Sequence, residues 1–146
     1  MEIENISVHI ENISKEEWSR LFALIPIIES TKVFSVGGEV IEDKKNPANY
    51  TITPEFGIPL VDDFLDIMED LKLIIPFDWS HWDNGKAIFE KGEYKDLDTV
   101  TLLKLLTAFI RADRFSYGAG LADRFEDRTI EKILNEIEKN TELKFA

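Results

Sequence analysis

Hydrophobic and polar positions along the chain follow two periods. Near the start, Ile6, Val8 and Ile10 share one face of an extended segment, which predicts a short half-buried strand over residues 2–10. Ser14-Lys15-Glu16-Glu17 then has the form of a capping box, with Ser14 as N-cap and Glu17 reaching back. The helix that follows carries Trp18, Leu21, Phe22, Ile25 and Ile28 at helical spacing, and Pro26 is expected to kink or end it. Thr31 to Ile41 is rich in Val, Phe, Ile and Thr around Gly37-Gly38, and reads as two short strands about a Gly-Gly turn or as one bulged strand. Glu42 to Asn49 is polar, contains Asn46-Pro47 and is expected to be a loop, followed by a brief extended piece over Tyr50 to Phe56.

The second half is helical in period. Pro59 suits a first helical turn, and Val61, Phe64, Leu65, Met68 and Leu71 form an apolar face. Asp62, Asp63, Asp66, Glu69 and Asp70 cover the opposite side. That spacing spreads them along a solvated face, and no calcium-type loop accompanies them. Leu73 to Phe77 is apolar up to Pro76, so the chain is expected to cross the core there. Ser80 is placed to cap a helix from about His81 to Glu90 that Gly92 ends. Asp98 is the expected cap of the strongest helix, about residues 99–115, apolar over a wide arc and therefore central. After Gly118 and Gly120, Leu121 to Phe125 has the length of one turn. Asp127 or Thr129 opens a last helix with the stripe Ile130, Ile133, Leu134 and Ile137. The pattern predicts an α+β domain, mainly helical, with about five helices and a small N-terminal strand pair, in one globular unit over residues 1–146.

Charge and composition narrow the function classes. The net charge is −12, from 29 acids against 17 bases. Duplex nucleic acid is bound by neutralising phosphates with Lys and Arg, so no nucleic-acid partner is expected. Solubility is the plain meaning of such a surface; docking a basic partner is the sharper one. The chain has no cysteine, which excludes a disulfide scaffold, a thiolate metal site and a thiol nucleophile. Met1 to Asn5 carries two glutamates and no Lys or Arg, and the longest apolar run, Leu21 to Ile28, is broken by Pro26. Neither a secretory leader nor a membrane span is expected, and the reading is cytoplasmic.

Two segments hold residue types that a plain scaffold does not need. In Phe77-Asp78-Trp79-Ser80-His81-Trp82, two indoles three residues apart stand beside an acid and one of only two histidines. A pocket wall in which Asp78 or His81 touches a ligand is one reading; an aromatic anchor on the core is the other. In Arg111-Ala112-Asp113-Arg114-Phe115, Asp113 and Arg114 continue faces that are apolar one turn earlier, at Phe109 and Ile110. Arg114 extends the face of Ile110 and Leu103, and Arg111 that of Thr107 and Lys104. An arginine fork for a carboxylate or phosphate and an internal Asp–Arg network both fit, with Asp78 as long-range partner. No phosphate loop, nucleophile elbow or paired-histidine zinc motif is present, and neither metal nor cofactor is expected.

The run from Phe77 to Trp82, then Leu106-Thr107-Ala108-Phe109-Ile110-Arg111-Ala112-Asp113-Arg114-Phe115 and Gly118, resembles a prokaryotic domain-of-unknown-function family with the motifs F-D-W-x-x-W and L-T-A-x-x-R-x-D-R-F-x-x-G. The resemblance implies a shared fold and a meeting of the two segments, and supplies no activity. Asp78, Trp79, His81, Trp82, Arg111, Asp113 and Arg114 are then the candidate ligand-binding residues. The leading expectation is a non-enzymatic binding module for a small anionic ligand or a protein partner. The alternatives are a small enzyme acting on an anionic metabolite or nucleotide, with Asp78 or His81 as acid–base, and an acidic decoy for a basic partner.

Overall fold

The computed structural model describes residues 3–37, 40–52, 56–113 and 119–145. Its N-terminus corrects the first expectation. The described part of the segment 2–10 is not a strand; α1 is a helix over Ile3–Asn12. Ile6, Ile10 and Ile13 are buried while Val8 is 60% exposed, so the operative spacing is one of three and four residues. The alternation of Ile6, Val8 and Ile10 was compatible with both periods, and contact with the core selects the helical one.

The capping box is present as expected. Glu17 N–H donates to Ser14 Oγ at 3.0 Å and Ser14 N–H to Glu17 Oε1 at 3.0 Å, opening α2 (Lys15–Phe22). The break falls at Ala23, before α3 (Leu24–Ser30), because Pro26 has no N–H for the Phe22 carbonyl four residues back and its ring crowds that oxygen.

The strands lie mid-chain rather than at the N-terminus. β1 (Ser35–Val36) and β2 (Val40–Asp43) do flank the glycines, yet they do not pair with each other. β1 pairs with β4 (Phe56–Gly57), and β2 with β3 (Asn46–Ile52), both antiparallel. The stretch 42–49, expected as a loop, is the tip of that hairpin, turning at Lys44-Lys45 with Lys45 N–H on Asp43 Oδ1 at 2.9 Å. Its polarity reflects exposure, since every β2 residue is solvent-facing.

Helices α4 (Pro59–Asp70), α5 (Asp83–Lys91), α6 (Thr99–Ala112), α7 (Ala119–Glu126) and α8 (Thr129–Phe145) complete the fold. Pro59 opens α4, and Gly92, in the left-handed region at φ 72°, ends α5. Ser80 caps nothing: residues Trp79–His81 form one 3-10 turn, and α5 begins at Asp83. The segment expected as one turn over Leu121 to Phe125 is the two-turn α7. The described residues hold eight α-helical segments, or seven helices if α2 and α3 are taken as one broken rod, not about five. The fold is mainly helical with small antiparallel strand pairs, and no described helix is long and apolar enough to cross a membrane.

Leu102, Leu103, Leu105 and Leu106 of α6 are almost fully buried and belong to one cluster with Ile6, Trp18, Phe64, Phe125 and the stripe of α8. Long cations close the helix ends around it. Arg128, at φ 69° between α7 and α8, donates through its guanidinium to the carbonyls of Ile28 (2.7 Å) and Thr31 (3.0 Å) where α3 ends. Lys144 does the same for Ile10 and Glu11 at the end of α1. Carbonyls left over at a helix C-terminus favour a cation by charge and by hydrogen bonding. Arg128→Met is expected to lower stability by about 1.5–3 kcal/mol, the worth of hydrogen bonds from a charged donor; urea denaturation measures it, and an unchanged midpoint would remove the anchoring role.

Candidate functional site

The site grows from the crossing between α4 and α5. Leu73 and Ile75 are buried beyond the end of α4; the Leu73 N–H still reaches the Met68 carbonyl of that helix at 2.8 Å, but the Ile75 N–H needs a partner from elsewhere. Thr107 supplies one: its Oγ1 accepts the Ile75 N–H at 3.0 Å, and the residue is fully buried. Helical spacing grouped Thr107 with Lys104 and Arg111 on a polar side; the incoming chain buries Thr107 and leaves Arg111 exposed. Lys104 lies beneath the same cover, with its Nζ 5.0 Å from the Phe77 ring centroid and 5.5 Å from that of Trp82. Phe77 and Trp82 meet edge to face at 5.3 Å.

The 3-10 turn then packs on α6 and brings both indoles to it. Between them opens a cleft of about 260 Å³ lined by Trp79, Trp82, Gly85, Phe89, Leu105, Ala108, Phe109 and Ala112, with Ser80, Asp83 and Lys86 also on its walls. Phe89 and Phe109 touch at 5.3 Å, and the Arg124 guanidinium lies 4.8 Å from the Phe89 centroid while pairing with Asp127 at 2.8 Å. Gly85 sets the wall. A Cβ there would run into the six-membered ring of Trp82, so only glycine lets the indole lie flat against α5.

The charged candidates are placed differently. Asp78 turns to its own loop: His81 Nδ1 lies 2.9 Å from Asp78 Oδ2, and Ser80 Oγ donates to Oδ1 at 3.0 Å. These bonds, His81's first, hold the Asp78 carboxyl below the ordinary carboxylate range. Both side chains are open to water, at 81% and 71% exposure, so the pair is screened and neither member lines the cleft. Arg111 is exposed on the last turn of α6, and no ion pair joins it to Asp78 among the described residues. Asp113 is nearly buried and accepts the Leu121 N–H at 2.7 Å, tying the end of α6 to the first turn of α7. Arg114, Phe115 and Gly118 lie outside the described residues. The expected constellation thus divides: Trp79 and Trp82 meet α6, while Asp78, His81 and Arg111 stand off the cleft. Among the described residues no three His, Asp or Glu side chains form a group that could hold a metal.

Phe89, Ala108, Lys86 and Gly85 were missed as site residues. Gly85 carried a signal, since glycine inside a helix costs stability and marks a close approach. The small residues Ala108 and Ala112, on the face of α6 turned to the indoles, were another.

Fold and cleft define a small, mainly helical domain with an aromatic-walled hollow beside its central helix. The chain belongs to a family of unknown function, DUF6508, which it matches over residues 13–142. The match takes in every element that lines the cleft. No curated protein and no solved structure matches the chain.

Two substitutions probe this construction. Thr107→Val keeps the shape and leaves a buried N–H unpaired, and is expected to cost about 1–3 kcal/mol in denaturant melts. Gly85→Ala should displace the Trp82 indole, seen as a large shift of its N–H resonance, with Trp18 unmoved; an unmoved Trp82 signal would mean that the wall is not set by that contact.

Proposed function

We propose that this chain is a non-enzymatic binding module that holds a compact, ring-bearing anion in the cleft of Trp79, Trp82, Phe89 and Phe109. The observation that carries the reading is the combination of an aromatic wall with a volume near 260 Å³. Ordinary small-molecule sites span about 300–1,000 Å³, so the cleft suits one ring and is too small for a whole nucleotide. Aromatic faces and the small residues Ala108 and Ala112 favour a flat group sliding against α6. Lys86 offers a cation at the wall for a carboxylate, beside Asp83, which discriminates against a second negative charge.

The enzymatic alternative is less well supported. Its acid–base pair, Asp78 and His81, lies in water off the cleft, and general acid–base work needs the group within hydrogen-bond reach of the reacting atom.

Titration with benzoate and indole-3-carboxylate, read by the indole N–H resonances, is the direct test. Signals of Trp79 and Trp82 are expected to move saturably, Trp18 is expected to stay, and Ala108→Trp should abolish the response by filling the cleft. Benzylamine should bind more weakly than benzoate in the parent and lose that disadvantage in Lys86→Met. Absence of saturable shifts with either acid would overturn the reading.

A further inference from the structure

A second hollow, of about 410 Å³, lies between α2 and α8 and shares no residue with the tryptophan cleft. Its floor is aromatic. Trp18 and Phe22 stack with centroids 5.7 Å apart and planes within 2°, and Phe145 adds a third ring from the end of α8. Its rim is acidic: Glu138 and Glu142 occupy successive turns of α8 on the groove side.

The other polar groups at this groove are engaged. Ser19 Oγ donates to the Lys15 carbonyl, and Thr141 Oγ1 to the Ile137 carbonyl, both at 2.8 Å. Lys139 pairs with Glu136 at 3.1 Å, and Lys144 is bound to the end of α1. Lys15 is the one cation on the wall, and among the described residues it forms no ion pair with either glutamate. Glu138 and Glu142 therefore stand as a like-charge pair at helical i, i+4 spacing, which is unfavourable in an isolated helix. Burial, and then Glu142, push the Glu138 carboxyl above the usual range, with no cation acting against them.

An aromatic floor beside two carboxylates that form no ion pair among the described residues matches one kind of side chain. Lysine and arginine carry an apolar stem that lies on rings and a cation that reaches past them. A free metal ion would gain nothing from the rings, and an apolar helix would bury the carboxylates without a partner. We propose that this groove docks a basic amphipathic segment of a protein partner, with an apolar or stem contact on Phe22 and Phe145 and a lysine or arginine between Glu138 and Glu142. The groove is independent of the reading given to the tryptophan cleft.

The test uses the full chain and two short amphipathic helical peptides with the same leucine face, one with lysine and one with glutamate on the polar face, in anisotropy titrations at physiological salt. The lysine peptide is expected to bind and the glutamate peptide to fail. Glu138→Gln with Glu142→Gln should weaken the lysine peptide about tenfold, equivalent to about 1.4 kcal/mol, and Phe22→Ala should weaken it as well. Asp62→Asn with Asp66→Asn removes the same charge from the exposed face of α4 and should leave binding almost unchanged. Thermal melts should show the double glutamine variant no less stable than the parent, because a repulsive pair is gone. Equal weakening by the two double variants would mean attraction to the −12 surface at large and would overturn the proposal, as would lysine-peptide binding indifferent to Glu138 and Glu142.

Discussion

The burial of α6 is the constraint on which the rest of the structure depends. Leu102, Leu103, Leu105, Leu106 and Thr107 are at most 1% exposed. Each fully buried leucine contributes about 1.5–3 kcal/mol relative to exposure, so a helix apolar over so wide an arc must be enclosed. Helices α7 and α8 cover part of it, and the 3-10 turn covers another part. The non-helical run Leu73 to Phe77 lies against a further part, with the Ile75 N–H on Thr107.

Closing a core with non-helical backbone leaves peptide groups in need of partners, and the side chains that supply them are the polar residues of the interior. Thr107 serves Ile75, and Asp113 serves Leu121. At the helix ends the same accounting falls to cations. Arg128 closes α3 and Lys144 closes α1, each from more than 90 residues away in sequence. The −12 charge therefore understates the structural importance of the bases: two of them hold carbonyls, while the acids of α4 face water.

The tryptophan cleft is a by-product of that cover. The 3-10 turn brings Trp79 and Trp82 down on α6, and Gly85 lets Trp82 lie against α5. Small alanines on the facing side of α6 leave a gap the size of a ring. Charges that follow in sequence need not follow in space. Asp78 and His81 satisfy each other in the turn, and Arg111, although next to Ala112 in sequence, lies off the face of α6 that lines the cleft.

Period, punctuation and charge determined much of this protein. The capping box at Ser14 and Glu17, the opening of α4 at Pro59, the end of α5 at Gly92 and the central place of α6 were all legible, because each rests on local geometry or on a long repeat. That the chain resembles a family of unknown function was legible too. Tertiary structure decided the rest. Residues 2–10 fit a strand and a helix equally, and only the neighbours of Ile6 and Ile10 chose the helix. The hairpin over Val40–Ile52 had the polarity of a loop because its strand β2 is exposed throughout. Thr107 and Lys104 had the spacing of a solvent face until a non-helical segment arrived to cover them. Which aromatic residues share a cleft, and which charges stand outside it, depends on how α5 and the 3-10 turn lie across α6, and packing between distant segments has no period that a sequence can display.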